Sequence, residues 1–407
     1  MCEKIMLPER INAVIERLRE HGFKGYVVGG CVRDMLMGKI PHDFDITTDA
    51  FPEEICEIFS DHRVILTGLK HGTVTVVHEG ENVEITTFRT DGKYLDNRHP
   101  EKVTFVRNIT EDLSRRDFTV NAMAYNPQTG LVDLFGGCDD IKNRTIRCVG
   151  DANRRFNEDG LRILRAMRFA CVLGFEIEKS TASAVLSNKH LLSNISCERI
   201  YSELTKLILG DGAVDILHRF YPILVDIMGD VPKENIDIIG NLPHDHSLRY
   251  AALLANRTAS DAVAVMRSLK TDNETCRTVR LLVASISIEF PRSDSDRFDK
   301  ECAYLLSKYP KDDLSKMISL RRAFCLSDQE ILSELDRIEE TVRMLTSSNA
   351  CVSIKQLAVD GGELAAIGVP KTSEMGDLLQ KLLESVIEGE TANEKEALLE
   401  RAKELII

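Results

Sequence analysis

The apolar positions of this chain change period near residue 150. From Gly25 to about Val149 they fall in short runs, YVV (Tyr26 to Val28), TVTVV, VEITTF and VTFV, broken by Gly, Asn and Asp. Runs of that kind predict strands, with a helix over Val32 to Met37 after the first of them. After Asp151 strand signals fade. Apolar residues then recur at helical intervals, through Leu161, Leu164 and Met167 and again through Ile200, Leu204, Leu207 and Ile208. The pattern predicts an α+β protein whose N-terminal head holds a small mixed sheet and whose remainder is helical. Gly210-Asp211-Gly212, Asn241 to Pro243 and Ser347 to Asn349 read as linkers or loop tips. Three divisions follow: a head over 1–150, a neck over 151–212, and a body and tail over 213–407.

Length and composition bound the function. At 407 residues with 43% apolar content, two to four packed units are expected. No apolar run approaches the roughly 20 residues needed to cross a bilayer, and the first twenty residues have helical spacing with charges throughout, unlike a signal peptide. A cytoplasmic protein without a membrane partner is expected, and no obligate protein partner is evident. The eleven cysteines are scattered and contain no C-x-x-C pair, so they read as reduced thiols. A net charge of −13 argues against indiscriminate coating of nucleic acid. A local RNA site remains open to it, because eight basic residues stand against three acidic ones between Lys142 and Arg168.

The candidate chemistry begins at GYVVGGCVRDMLMGKIPHDFDITTD, Gly25 to Asp49. Gly29-Gly30 make a turn where backbone N–H groups approach an anion at the start of a helix, which suits a phosphate. Asp43 and Asp45 flank Phe44, and on a strand residues two apart share a side, roughly 6–7 Å from each other. Such a pair can grip a divalent metal, and magnesium favours hard oxygen ligands while leaving positions for phosphates. Asp-x-Asp is common in surface turns; joined to Gly-Gly-x-x-Arg-Asp upstream it reads as nucleotidyl-transfer chemistry. Glu84 alternates with Val83 and Ile85, so it is either a third acid beside the metal or an ordinary exposed strand residue. Arg115-Arg116-Asp117 opens a segment through Phe118, Val120, Ala122 and Met123 that reads as a helix with an electropositive start. Asp117 can equally pair with Arg115 or Arg116. The stretch Thr86 to Thr104 is rich in Gly, Asn, Pro and charge, as surface loops are.

Taken in order, the Gly25 segment, HGTVTVV (His71 to Val77), VEITTFR (Val83 to Arg89), RRDFTVNAMAYN (Arg115 to Asn126), EDGLRILRAMRF (Glu158 to Phe169) and SCERIYSELTKLI (Ser196 to Ile208) resemble the class II template-independent nucleotidyltransferases. That family comprises the tRNA CCA-adding enzymes and bacterial poly(A) polymerases. The resemblance covers about the first 210 residues closely and returns near Gly361 to Leu399.

It implies a polymerase-β-like head followed by helical neck, body and tail, Mg2+ as cofactor, CTP and ATP as substrates, and tRNA as partner. It further implies that Asp43 and Asp45 hold metal and that Glu84 joins them. Gly29, Gly30, Arg33 and Arg116 then contact nucleotide, Asp117 approaches the sugar, and Asn121 supports the site. Asp159 and Arg162 read the base. An Asp-Arg pair suits C and A together, because both present an amine beside an acceptor. Three-residue spacing makes the two neighbours on a helix. Arg165 and Arg168 lie toward the phosphates.

TGLKHGTVTVV stands where poly(A) polymerases carry a Gly-Arg-Arg-Phe-type stretch, which favours CCA addition. An A-adding relative, a poly(A) polymerase and a non-catalytic scaffold are the alternatives. The long 86–104 loop also resembles the loop of full CCA-adding enzymes, which relatives adding only two C residues shorten. His244-Asp245, with His218 upstream, hints at a His-Asp phosphohydrolase. Leu253-Leu254 is followed by Ala255-Asn256 and not by His-Asp, and Pro243 favours a loop there.

Overall fold

A computed structural model describes residues 5–92, 103–370 and 373–406. The head begins with α1 (Glu9–Glu20), whose Ile11, Val14, Ile15 and Leu18 recur at three- and four-residue spacing and are all buried. Then come β1 (Gly25–Val28), α2 (Gly30–Leu36), β2 (Asp45–Thr48), α3 (Pro52–Ile58), β3 (Arg63–Ile65), β4 (Thr73–His78) and β5 (Glu81–Thr87). A short hairpin, β6 (Arg89–Asp91) with β7 (Val103–Phe105), leads to α4 (Ile109–Ser114), β8 (Met123–Asn126), β9 (Gly130–Asp133) and α5 (Gly137–Lys142). The predicted 86–104 loop is therefore partly strand; its residues 93–102 lie outside the described ones.

Seven strands form one mixed sheet in the order β3-β4-β5-β2-β1-β8-β9. β2 and β5 run parallel and the other junctions are antiparallel. One face packs Val27, Ile46, Val74, Val76, Val83 and Ile85 against α1 and α3. The other gathers Tyr26, Val28, Phe88, Leu113 and Ala124. Because side chains alternate along a strand, the fully buried Ile46 and Ile85 send Asp45 and Glu84 to the face away from α1 and α3. Burying each isoleucine stabilises by about 1.5–3 kcal/mol, and a one-residue slip would drive a carboxylate into that core. The core thus fixes where the acids stand.

The helix expected after Arg115 does not form. Thr119–Asn121 make a single 3₁₀ turn and the chain then enters β8. Tertiary hydrogen bonds override the local period: the Thr119 amide donates to the Arg147 carbonyl at 2.9 Å and the Val149 amide to the Asp117 carbonyl at 3.1 Å. Strand structure also persists past Asp151, as β10 (Thr145–Ile146) pairs in parallel with β11 (Glu176–Ile177).

The helices around that pair are α6 (Ala152–Glu158), α7 (Arg162–Leu173), α8 (Lys179–Ser187), α9 (Cys197–Ile208), α10 (Ala213–Arg219) and α11 (Tyr221–Met228). Residues 1–230 with 268–270 form one compact unit, and 231–267 with 271–407 a second. The second contains helices throughout, from α12 (Lys233–Ile239) and α13 (His246–Leu253) to the final Lys395–Ile406, with Leu364, Leu382, Leu383 and Leu398 buried near its end. Among the described residues no helix is long and apolar enough to cross a membrane.

Candidate active site

The site is built on the turn between β1 and α2. Gly29 has φ +81° and ψ −130°, a conformation only glycine adopts readily. A Cβ there would also stand 3.2 Å from Nη1 of Arg116. The Gly29 amide donates to the Met123 carbonyl, and Gly30 opens α2. Behind the turn, Arg33 is buried, donating through Nη1 to Oδ1 of Asn121 at 2.7 Å and through Nε and Nη2 to Asp34. Asn121 in turn donates to Oδ1 of Asp117 at 3.3 Å. Three predicted site residues thus form one buried chain, Arg33, Asn121, Asp117.

Asp117 pairs with neither Arg115 nor Arg116. Its Oδ2 accepts from Nε and Nη2 of Arg165 at 2.9 and 2.6 Å, and Oδ1 accepts from the Phe118 amide. Burial alone would raise this carboxyl, but Arg165 and Arg162 outweigh it and hold it down to about 2. Both neighbouring arginines go instead to Asp112, a fully buried carboxylate absent from the sequence-derived candidates. Arg116 donates to it through Nη2 at 3.1 Å, while its Nε is buried without a hydrogen-bond partner.

Asp43 lies in the irregular segment before β2, outside the strand on which the pair was expected, and Asp45 is that strand's first residue. Asp45 aligns with Glu84 across the parallel β2/β5 junction. Among the described residues no side chain forms a hydrogen bond or ion pair with Asp43, Asp45 or Glu84. Asp45 is solvent-facing, yet the protein packed around its carboxyl pushes the pKa above that of an ordinary aspartate. Arg116 pulls it back and Asp43 adds to the rise. Uncompensated carboxylates of this kind suit a dication. No group of three or more His, Cys, Asp or Glu among the described residues is arranged to enclose a metal. An ion held by one or two carboxylates and finished by substrate phosphates needs no such enclosure.

The base-reading pair is arranged differently from its sequence expectation. Asp159 terminates α6 and Arg162 begins α7, so they do not share a continuous helix. Between them a Cβ on Gly160 would meet the Leu191 carbonyl oxygen at 3.0 Å, so backbone packs tightly there. The Asp159 carboxylate accepts from Arg199 on α9, at 2.8 Å from Nη2 and 3.3 Å from Nη1. Arg162 instead contacts Glu158 at 2.8 Å and donates to the carbonyls of Arg155 and Arg115. Arg165 and Arg168 meet at Glu203 on α9, at 3.6 and 2.5 Å, and Arg168 lies over the Phe169 ring. Arg199 and Glu203 lie within the quoted SCERIYSELTKLI stretch, and their four-residue spacing, which puts both on one helix face, was the available signal.

The basic run from Lys142 to Arg168 is largely neutralised. Asp139 takes Lys142, Asp140 takes Arg147, and Glu158 takes Arg154, Arg155 and Arg162. In the second unit Asp245 caps α13, accepting from the Leu248 amide and pairing with Lys316 at 2.7 Å.

Residues 25–147 match the family model described as "Poly A polymerase head domain". Residues 174–221 match "Probable RNA and SrmB- binding site of polymerase A", and 243–402 "tRNA nucleotidyltransferase domain 2 putative". The chain is 38% identical to a CCA-adding enzyme of Lactobacillus delbrueckii subsp. bulgaricus over 95% of each chain. It is 37% identical to one of Lactococcus lactis subsp. cremoris over 98% of each. Its fold is similar to that of the Bacillus stearothermophilus CCA-adding enzyme in complex with CTP, with TM-score 0.79, 30% identity and 98% of each chain covered. The Thermotoga maritima CCA-adding enzyme complexed with tRNA shares the fold at TM-score 0.68 and 21% identity, over 99% of this chain and 97% of that one.

Proposed function

The chain belongs to the CCA-adding enzymes, a family of tRNA nucleotidyltransferases, and from that premise we propose a division of labour among its residues. It adds C, C and A to the 3′ end of tRNA from CTP and ATP, releasing pyrophosphate. The residues for the divalent ion, which we take to be Mg2+, are Asp43 and Asp45, with Glu84 beside them. When bound, the ion supplies charge neutralisation at the transferring phosphate and eases ionisation of the attacking 3′ hydroxyl. The supporting observation is that among the described residues no side chain forms an ion pair with these carboxylates, while Arg116, whose charge is felt at Asp45, crowds the glycine turn.

The Gly29-Gly30 turn, whose Gly29 amide is tied to the Met123 carbonyl, brings the Gly30 N–H and Arg116 to the triphosphate. Arg33 and Asn121 fix Asp117, whose carboxylate approaches the ribose. Asp159 and Arg162 read the amine and adjoining acceptor shared by C and A. For that, Arg199 and Glu158 must share or yield those groups. Arg165 and Arg168 set the electrostatic background near Asp117 and Glu203. The head (1–150) performs transfer, the neck (151–212) selects the base, and the body and tail (213–407) bind tRNA by shape and backbone. We place the enzyme in the cytoplasm, where its substrates meet.

The decisive assay offers tRNAs ending before CCA, after C and after CC with each labelled nucleotide. Sequential C, C and A supports the proposal. Incorporation of A alone onto tRNA ending in CC would favour an A-adding enzyme, and runs of A a poly(A) polymerase.

A further inference from the structure

The Asp112 carboxylate lies at a junction that the proposed chemistry does not itself use. It is fully buried, on the short helix α4. Oδ1 accepts from Nη2 and Nε of Arg115 at 2.8 and 3.2 Å and from the Arg89 amide at 3.3 Å. Oδ2 accepts from Nη2 of Arg116 at 3.1 Å. A buried carboxylate is costly unless charges and hydrogen bonds compensate it, and here two guanidiniums and an amide do so. Burial would push this carboxyl up, yet Arg116 and Arg115 bring it below the usual aspartate range.

What Asp112 holds gives it a role beyond stability. The Arg116 side chain donates its one hydrogen bond among the described residues to Asp112. That leaves Nη1 facing the glycine turn, 3.2 Å from where a Gly29 Cβ would stand, and Nε buried and unpartnered. The charge of Arg116 is felt at Asp45. A guanidinium held at one end by an anion, with donors to spare at the other, is set for a second anion. Asp112 also reaches the base-reading side, because Arg115 donates through Nε to the Arg89 carbonyl and offers its own carbonyl to Nη2 of Arg162 at 3.0 Å.

We infer that Asp112 is a positioning residue for the incoming nucleotide: it anchors Arg116 so that the unused face of the guanidinium meets the triphosphate beside the Gly29 turn. This rests on the reading of Arg116 as a nucleotide contact. Asp112 touches no reacting atom and acts only through its arginine. Its influence therefore falls on both nucleotides and not on tRNA.

The test is a double-mutant cycle on the full-length enzyme, joining Asp112→Asn with Arg116→Lys. KM and kcat are measured for CTP on tRNA lacking CCA, for ATP on tRNA ending in CC, and for each tRNA. Asn keeps the shape but loses the charge that fixes Arg116. D112N is expected to raise KM for CTP and ATP alike by about 10-fold or more, since a charged hydrogen bond is lost, with tRNA KM unchanged. In the R116K background the further effect of D112N should shrink to under about 3-fold, because the two act as a unit. Arg115→Met removes the other partner and should leave nucleotide KM near wild type. If D112N does not fold, Asp112→Glu, which keeps charge but shifts its position, carries the same cycle. Unchanged KM in R116K would overturn the reading of Arg116 itself. Impaired R116K with fully additive D112N, or a rise in tRNA KM equal to that for nucleotide, would overturn the positioning role alone.

Discussion

Asp45 and Glu84 stand side by side on one face of the head sheet, register partners across the parallel β2/β5 junction. Parallel partners share a face, so the same cores that bury Ile46 and Ile85 hold the two carboxylates next to each other. Asp43, from the irregular segment ahead of β2, is close enough for its charge to raise the Asp45 carboxyl. On the proposed assignment, removing Asp43 or Asp45 would take away the means of holding the ion, whereas removing Glu84 would leave the pair intact. Asp43→Ala is expected to abolish transfer with circular dichroism and melting unchanged. Glu84→Gln should retain activity but raise the divalent-ion concentration for half-maximal rate by about 10-fold, in line with losing a supporting acid. Turnover by D43A at wild-type rate would remove the metal assignment, and a wild-type metal titration in E84Q would leave Glu84 an ordinary strand residue.

The environment of Asp45 also sets a pH dependence. Its carboxyl is raised first by burial, opposed by Arg116 and raised further by Asp43. Ion binding requires the charged form. As pH falls, this residue is protonated before an ordinary aspartate would be, so a metal held as proposed is expected to be lost earlier. A dication competes with the proton, so raising its concentration should move the acid limb of the kcat/KM profile to lower pH. The measurement is that profile at two concentrations of the ion, about 100-fold apart. An acid limb that stays fixed would place the controlling group elsewhere.

Much of this arrangement can be read in the residues and some of it cannot. β1, the Gly29-Gly30 turn, α2 and the strands carrying Asp45 and Glu84 follow from local alternation and turn chemistry, which depend on near neighbours. The chain breaks near Gly210, Asn241 and Ser347 likewise fall between helices or at a helix end. Partner choice is different. Asp117 finds Arg165 forty-eight positions away, and Asp159 finds Arg199 at a separation of forty. Neither is visible to local spacing, which suggested the adjacent Arg115 and Arg116 for Asp117 and the three-residue neighbour Arg162 for Asp159 instead. The extended path after Arg115 was hidden for the same reason, since the carbonyl of Arg147 and the amide of Val149 hold it there.

The Asp117 pairing carries a stability signature. The carboxyl lies at about 2 when folded, against about 3.9 for an unfolded aspartate. A depressed carboxyl contributes stability that is fully present above the unfolded value and is lost as pH falls through the folded one. The contribution at neutral pH is on the order of 2 kcal/mol. Asp117→Asn should lower the urea midpoint at pH 7, and its deficit against wild type should narrow between about pH 4 and pH 2. A deficit constant across that window would mean that Asp117 stabilises by shape and not by charge.

Base selection is expected to depend on α9 as well as on the Glu158 to Arg162 segment. Arg199 holds both oxygens of the Asp159 carboxylate, and a reading group must be held still to reject a wrong hydrogen-bond pattern. Asp159→Ala should blur discrimination among all four nucleotides. Arg199→Ala, which frees the carboxylate without removing it, should raise misincorporation of UTP and GTP by a smaller factor, about 10-fold. The readout is the ratio of kcat/KM values for right and wrong nucleotides. Wild-type ratios in D159A would put base reading elsewhere; unchanged ratios in R199A alone would make Arg199 a structural tie.

The His244-Asp245 motif should prove structural. Asp245 is occupied twice over, capping α13 through the Leu248 amide and pairing with Lys316. The packed surroundings would raise its carboxyl, yet Lys316 and the amide bring it below the usual range, so it is charged and engaged at neutral pH. A capping aspartate replaced by alanine costs about 1 kcal/mol, and losing the partly exposed pair with Lys316 adds little. Asp245→Ala is therefore expected to lower the melting temperature by a few degrees and to leave CTP and ATP addition at wild-type rates. Phosphatase and phosphodiesterase assays with added divalent metal give the contrary case its chance. Metal-stimulated hydrolysis present in the wild type and absent from D245A would establish a second active site in this unit.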